Sequence, residues 1–419
     1  VTQPAHPNGT TGTTGPSRVA PGLLAWRNAV FVIFFLSGLS LATWMSRIPA
    51  VRDGLRLSTA EVGLLIFGLS AGSVFGLVAA VWMLGRFGAR RSMLQSASLS
   101  VVGLILVGAG SSLLTSAPFV FFGLALVGFG IGSLDVVMNV EGAAAEREIG
   151  KTLMPLMHAC FSLGTVVGAL IGAGASLVGL PVHWHLLGIA ILVLAAAVVA
   201  VPYIPLVDPR PETAADSAAG PQTRRERLRR SLTVWADLKI LLIGVIVLGM
   251  TFAEGSANDW LALASVDGHG LSNTEGAIVF GVFVAAMTVG RVLGGPVIDR
   301  FGRVPVLRSC AVLGGLGLLL FILAPSHALI YCGTVLWGLG ASLGFPVGMS
   351  AAADDTKNAA ARVSAVAMIG YFAFLVGPPV LGMLGQAWGI LSALFLILGL
   401  MVLAGLAAPA ARETRHVSG

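Results

Sequence analysis

The chain has 419 residues, 56% of them apolar and only 11% charged, with a net charge of +6 and a mean hydropathy of +0.91. A soluble chain is about a quarter charged, so a water-coated enzyme, a disordered protein and a nucleic-acid binder are excluded, and a polytopic membrane protein remains. Three cysteines (Cys160, Cys310, Cys332) are too few for a disulfide framework or a zinc cluster, and each lies in an apolar run where a thiol packs as a small residue.

Residues 1–22 are Gly, Thr and Pro with almost no apolar content, which predicts a disordered N-terminus. Crossing a bilayer takes about 20 apolar residues. Scanning at that length predicts six spans near 27–49, 60–82, 94–113, 118–144, 157–179 and 184–205. Six more follow near 238–262, 273–297, 306–324, 327–350, 362–386 and 389–409. The first run is too long for a signal-peptide core and has no clear cleavage site, so it is expected to be retained. The runs are continuous rather than alternating, which predicts helices and not a barrel. Residues 206–236 are polar and carry Arg224, Arg225, Arg227, Arg229 and Arg230. This basic linker separates two expected six-helix bundles, 23–205 and 237–411, and residues 412–419 form a short tail. The expected fold is therefore all-α, with twelve transmembrane helices in two pseudo-symmetric bundles.

Orientation follows from the placement of Lys and Arg. With both termini in the cytoplasm, 21 of the 25 basic residues fall on the inner side. Arg47, Arg52 and Arg56 fall outside, and Arg291 lies within a span. That bias predicts a multi-pass protein of a bacterial-type cytoplasmic (inner) membrane, and it explains the basic character without nucleic acid. The linker also suits anionic lipid headgroups.

Nineteen carboxylates are present, and fifteen fall in loops, tails or span ends. The other four are Asp135, Glu141, Glu254 and Asp259. Counting from the span midpoints places Asp135 about 7 Å inward and Glu254 about 6 Å outward of the bilayer centre. An acid at such depth costs about 2.5–3.5 kcal/mol on insertion scales, so it faces a polar interior and marks a functional site by default. Asp135 with Asn139, and Glu254 with Asn258, are spaced i,i+4, so each pair shares a helical face. An amide beside an acid can hold a proton or a solute hydroxyl. For both acids, coupling or binding stands against a purely structural hydrogen bond or ion pair. Glu141 and Asp259 fall nearer the interfaces and suit solvated or gate-type salt bridges. Arg47 suits a snorkelling anchor or a partner for Asp259 or Glu254, and Arg291 a side chain that snorkels to the cytoplasmic face. His158 opens the fifth span, as a proton relay or a helix-end hydrogen bond. Trp44, Trp260 and Tyr371 are placed to stack on a solute, with the two tryptophans expected at the outer vestibule. Trp337 is similarly placed.

Repetition appears at a fixed offset. Residues 85–91 read GRFGARR and residues 299–305 read DRFGRVP, 214 positions apart. Gly164, Gly168 and Gly172 recur in span five, with Gly377, Pro378, Pro379 and Gly382 some 210 positions on. Small residues at spacing four let helix backbones approach closely, and the shared offset predicts a duplicated six-helix unit. The run Gly295-x-x-x-Asp299-Arg300-Phe301-Gly302-Arg303 resembles the loop signature of the major facilitator superfamily, with a partial first copy at Arg86 and Gly88 where Gly85 replaces the aspartate. Asp135-Val-Val-Met-Asn139 resembles a stretch of that superfamily's fucose:proton symporter group, and the resemblance implies a proton-coupling role for Asp135. The run from Glu254 to Trp260 is similar to fucose-permease-like members. Met45 stands where the fucose symporters carry a substrate-linked aspartate, so their sugar specificity is not carried over.

No phosphate-binding loop, metal cluster, serine triad or dinucleotide fingerprint occurs, so neither an enzyme nor a cofactor is expected. The expectation is a monomeric proton-coupled carrier of a small polar or sugar-like solute. A proton-driven exporter of a drug or secondary metabolite, and a transporter-like sensor or scaffold, remain as alternatives.

Overall fold

The computed structural model describes residues 21–150, 153–206, 237–354 and 359–412. Residues 1–20 of the expected disordered segment, nearly all of the basic linker and residues 413–419 lie outside the described residues, while residues 21 and 22 already belong to the first helix. Helices α1 (Pro21–Met45), α2 (Ile48–Leu55), α3 (Thr59–Ser112), α4 (Ala117–Ile149), α5 (Met154–Leu177) and α6 (Val182–Ala200) form the N-terminal half. The C-terminal half comprises α7 (Leu238–His269), α8 (Asn273–Phe301), α9 (Arg303–Leu323), α10 (His327–Ala341), α11 (Gly344–Ala352), α12 (Ala359–Trp388), α13 (Ile390–Ala393) and α14 (Phe395–Ala407). Among the described residues, eleven helical segments are long and apolar enough to cross a membrane.

One of those eleven is two crossings. Helix α3 holds 54 residues, about 80 Å at 1.5 Å per residue, against a hydrocarbon core of about 30 Å. Gly88 breaks it at φ 73°, ψ 170°, a backbone region open to glycine and closed to residues with a β-carbon. The result is the expected all-α architecture, with twelve crossings among the described residues.

Helix ends differ from the hydropathy limits. The first span stops at Met45, and a separate short helix, α2, follows. The tenth divides at Ser342–Leu343 into α10 and α11. Helix α4 continues to Ile149 and α7 to His269. Each runs past its predicted end because helical hydrogen bonding does not stop where apolar composition does.

The repeat extends into local geometry. Gly302 sits at φ 80°, ψ 164°, the same unusual conformation as Gly88. Arg86 lies 5.8 Å from the Phe87 ring centroid and Arg300 lies 5.4 Å from that of Phe301. Helices α3 and α8 both open with a capping box, Ser58 with Glu61 and Ser272 with Glu275, again 214 positions apart. In each box the hydroxyl accepts the N3 amide and the glutamate accepts the cap amide.

Small residues set the packing. β-Carbons at Gly164 and Gly172 would collide with the Phe35 carbonyl and with Ser46, and one at Gly168 would fall 2.7 Å from Leu39 O. The glycine stripe of α5 thus lies flat on α1. Between the halves, a β-carbon on Gly63 of α3 would fall 2.7 Å from Pro378 O on α12.

Polar contacts between described residues of the two halves cluster at one end. Arg52 donates to both carboxylate oxygens of Asp267, at 2.7 and 2.6 Å, and pairs with Asp53 at 2.8 Å. Asn273 donates to Asp53 at 3.0 Å, the Thr59 amide to Gln386 at 3.1 Å, and Thr274 to Ser176 at 3.2 Å. All lie at the end of the bundle opposite the termini. Burial disfavours the Arg52 cation, and the hydrogen bonds and charges of Asp267 and Asp53 more than offset this, raising its pKa.

Candidate functional site

A cavity of about 310 Å³ lies between the halves. Its walls follow helical periodicity. Ser37, Leu41 and Met45 line one face of α1, and Ser70, Ser73 and Leu77 one face of α3. Gly128, Ile131, Gly132 and Asp135 line α4, and Phe161 and Thr165 line α5. From the other half come Glu254, Asn258 and Asp259 on α7, Phe280, Val284, Met287 and Arg291 on α8, and Tyr371 and Phe374 on α12.

Asp135 and Asn139 meet as the i,i+4 spacing requires. The Asn139 amide donates to the Asp135 carbonyl at 2.7 Å and to its carboxylate at 3.2 Å. No cation pairs with Asp135 among the described residues. Tyr371, 40% exposed, lines the same cavity from the other half. Glu254 is neutralised: Arg291 donates to it at 2.7 Å. Arg291 therefore does not snorkel to a headgroup surface. It stands in the cavity wall and is held there by an acid 37 positions earlier in the chain.

Asp259 also departs from expectation. Because α7 runs to His269, Asp259 lies ten residues, about 15 Å, inside the helix end. It is 8% exposed, lines the cavity, and has neither a hydrogen bond nor an ion pair among the described residues. A solvated interfacial salt bridge does not form. A small void beside it, lined also by Phe252, Trp260 and Phe374, adjoins the main cavity.

Several predicted residues sit elsewhere. Trp44 and Trp260 are 1% and 0% exposed and lie in helix packing rather than on the main cavity wall, with Trp260 bordering only the small void beside Asp259. Trp337 is likewise fully buried, edge-on to Phe283. Glu141 forms no salt bridge among the described residues; it accepts the Trp26 indole N–H at 3.1 Å inside the N-terminal half. Arg47 is 4% exposed and donates to Leu180 O at 2.7 Å, so it neither snorkels nor pairs with Asp259 or Glu254. His158 meets the Phe34 ring edge-on at 5.3 Å. In the loop signature, Arg303 donates twice to Asp354 at 2.8 Å and to Ser350 at 3.0 Å, while Gly295, Asp299 and Arg300 are exposed. Sequence reasoning missed the cavity hydroxyls of Ser37, Ser70, Ser73 and Thr165 and the rings of Phe161, Phe280 and Phe374. Their signal, polar residues recurring on one helical face of an apolar span, was present for Ser70 and Ser73.

Among the described residues, the arrangement offers unpaired carboxylates, one part-buried ion pair, hydroxyls and aromatic faces around a solute-sized space. It suits binding and release. Comparisons with known proteins agree. The chain is 29% identical, over 87% of its length and 92% of the relative's, to an uncharacterized transporter of Sinorhizobium fredii. Its fold matches a variant of the nucleoside transporter NupG with a TM-score of 0.73 at 15% identity, covering 93% of this chain and 99% of that one. It matches a variant of the E. coli fucose:proton symporter with a TM-score of 0.63 at 15% identity, covering 94% and 100%. The sequence profile of the Major Facilitator Superfamily aligns with residues 30–293 and again with 260–418. With a paired-bundle fold, a cavity walled by both halves and a profile spanning nearly all of the described helices, the chain belongs to the Major Facilitator Superfamily, a multi-pass membrane transporter of a small solute.

Proposed function

We propose that this protein is a proton-coupled secondary transporter that moves a small polar or sugar-like solute by alternating access, as a monomer in a bacterial-type cytoplasmic membrane. The observation that carries this reading is Asp135, a carboxylate with an amide neighbour and no cation, set in a cavity to which both halves contribute. Such a group binds a proton when dry and releases it when wetted, and opening the cavity alternately to the two sides provides that change. The bundles proposed at 23–205 and 237–411 would rock about the cavity. Termini in the cytoplasm, as the basic residues favour, put the Arg52 contacts at the outer face. The fold shared with a fucose:proton symporter supports the coupling.

The test begins with a thermal-shift screen of solutes at two pH values, followed by uptake into proteoliposomes under a proton gradient. Asp135→Asn is expected to abolish gradient-driven accumulation and leave solute exchange. Normal accumulation by that variant would falsify the coupling role.

One observation favours a second reading. Leu41, Leu77, Ile131, Val284 and Met287 give the cavity a broad apolar wall, which suits a proton-driven exporter of a more hydrophobic compound. Proton-linked accumulation in inside-out vesicles, absent from right-side-out ones, would select it.

A further inference from the structure

The cavity's charges do not balance. Asp135, Glu254 and Asp259 face it with a single guanidinium, Arg291, and Arg291 is committed to Glu254 at 2.7 Å. Among the described residues, two carboxylates from opposite halves are left without a cation. Asp135 has Asn139 to accept from. Asp259 has nothing among the described residues, although it is more than nine-tenths buried and its side chain reaches the cavity wall. An uncompensated buried carboxylate is costly, and a protein that keeps one at a solute site gains by having the solute supply the missing charge. Phe280 and Phe374 line the same space, and aromatic faces attract cations.

We infer that the solute is an organic cation, a protonated amine on a polar or apolar body, whose ammonium group docks against Asp259 while Asp135 serves the proton. The inference rests on the cavity being the transport site. It divides the two unpaired acids between two tasks. Asp259, on α7, takes the solute's charge, and its Asn258 neighbour, which also lines the cavity, accepts or donates to the rest of the ligand. Asp135, on α4 in the other half, stays free to titrate. An anionic solute is disfavoured, since it would have to displace Glu254 from Arg291 and face two further acids.

The test uses purified full-length protein and two matched sets of probes: glucosamine, glucose and gluconate, and tyramine, tyrosol and 4-hydroxyphenylacetate. Thermal stabilisation is titrated for each. The expected result is half-saturation at least tenfold lower for an amine than for its neutral and anionic counterparts. Asp259→Asn should remove that preference and Asp259→Glu should keep it. If Asp259→Asn does not fold, Arg291→Gln gives an independent reading: it frees Glu254, so amine binding should hold or tighten. Equal stabilisation by neutral or anionic members, no amine-specific stabilisation in either set, an amine preference surviving in Asp259→Asn, or a loss of amine binding in Arg291→Gln each overturns the inference. Ser70→Trp, which fills the cavity, separates the two claims. If amines still bind to it, the cavity reading itself has failed. If Ser70→Trp abolishes binding while Asp259→Asn retains amine preference, only the cation assignment has failed.

Discussion

Arg52 is the polar tie that joins the halves most directly, and its removal has a calculable effect. The guanidinium makes two short hydrogen bonds to Asp267 and a third contact to Asp53. The Arg52 and Asp267 side chains are 20% and 23% exposed. Fully exposed pairs contribute about 0.2–1 kcal/mol, and hydrogen bonds to charged groups about 1.5–3 kcal/mol. Partial exposure discounts the upper figure, leaving about 1 kcal/mol for the tie. That corresponds to roughly a fivefold shift in the equilibrium between closed and open forms of the end opposite the termini. The assay replaces Cys160, Cys310 and Cys332, places one cysteine at Ser70 in the cavity wall, and measures its alkylation by an impermeant thiol reagent added from that side. Arg52→Ala should raise the rate about fivefold, and so should Asp267→Ala. The double variant should add little, because each single change already breaks the same contact. An unchanged rate, or two effects that simply add, would refute the reasoning.

Two other substitutions give sharp expectations. Arg291→Ala removes the partner of a part-buried Glu254, the two side chains being 30% and 14% exposed, which should cost about 1–2 kcal/mol and lower the melting temperature modestly; the double change Glu254→Gln with Arg291→Gln should recover much of the loss. Gly302→Ala forces a β-carbon into a glycine-only backbone region at a cost of about 1–3 kcal/mol, read as a lower melting temperature in detergent, and Gly88→Ala should behave alike because the two turns share their geometry.

The twelve crossings were legible because a bilayer imposes length and composition on every span, and neither depends on how helices pack. The repeat was legible at 85–91 and 299–305, and the same offset links Ser58 and Glu61 with Ser272 and Glu275, a signal equally present but overlooked. Depth was less legible. Asp259 and Glu141 were placed near interfaces because hydropathy ended their spans early, whereas the helices ran on through polar residues. Rotation was not legible at all for Trp44 and Trp260: in a span apolar all round, no moment marks the inward face. Pairing across helices, such as Arg291 with Glu254, depends on tertiary placement that periodicity within one helix does not encode.

The lopsided distribution of polar links between the halves has a consequence for the idle protein. In the proposed alternating-access cycle, polar ties gathered at one rim, with the Gly63–Pro378 contact close by, favour a single posture for the empty carrier. That posture keeps the rim opposite the chain ends fastened. Each turn of that proposed cycle must unfasten the rim, so a cargo whose docking offsets the lost ties speeds the crossing, while the gradients across the membrane alone set the direction of net flow.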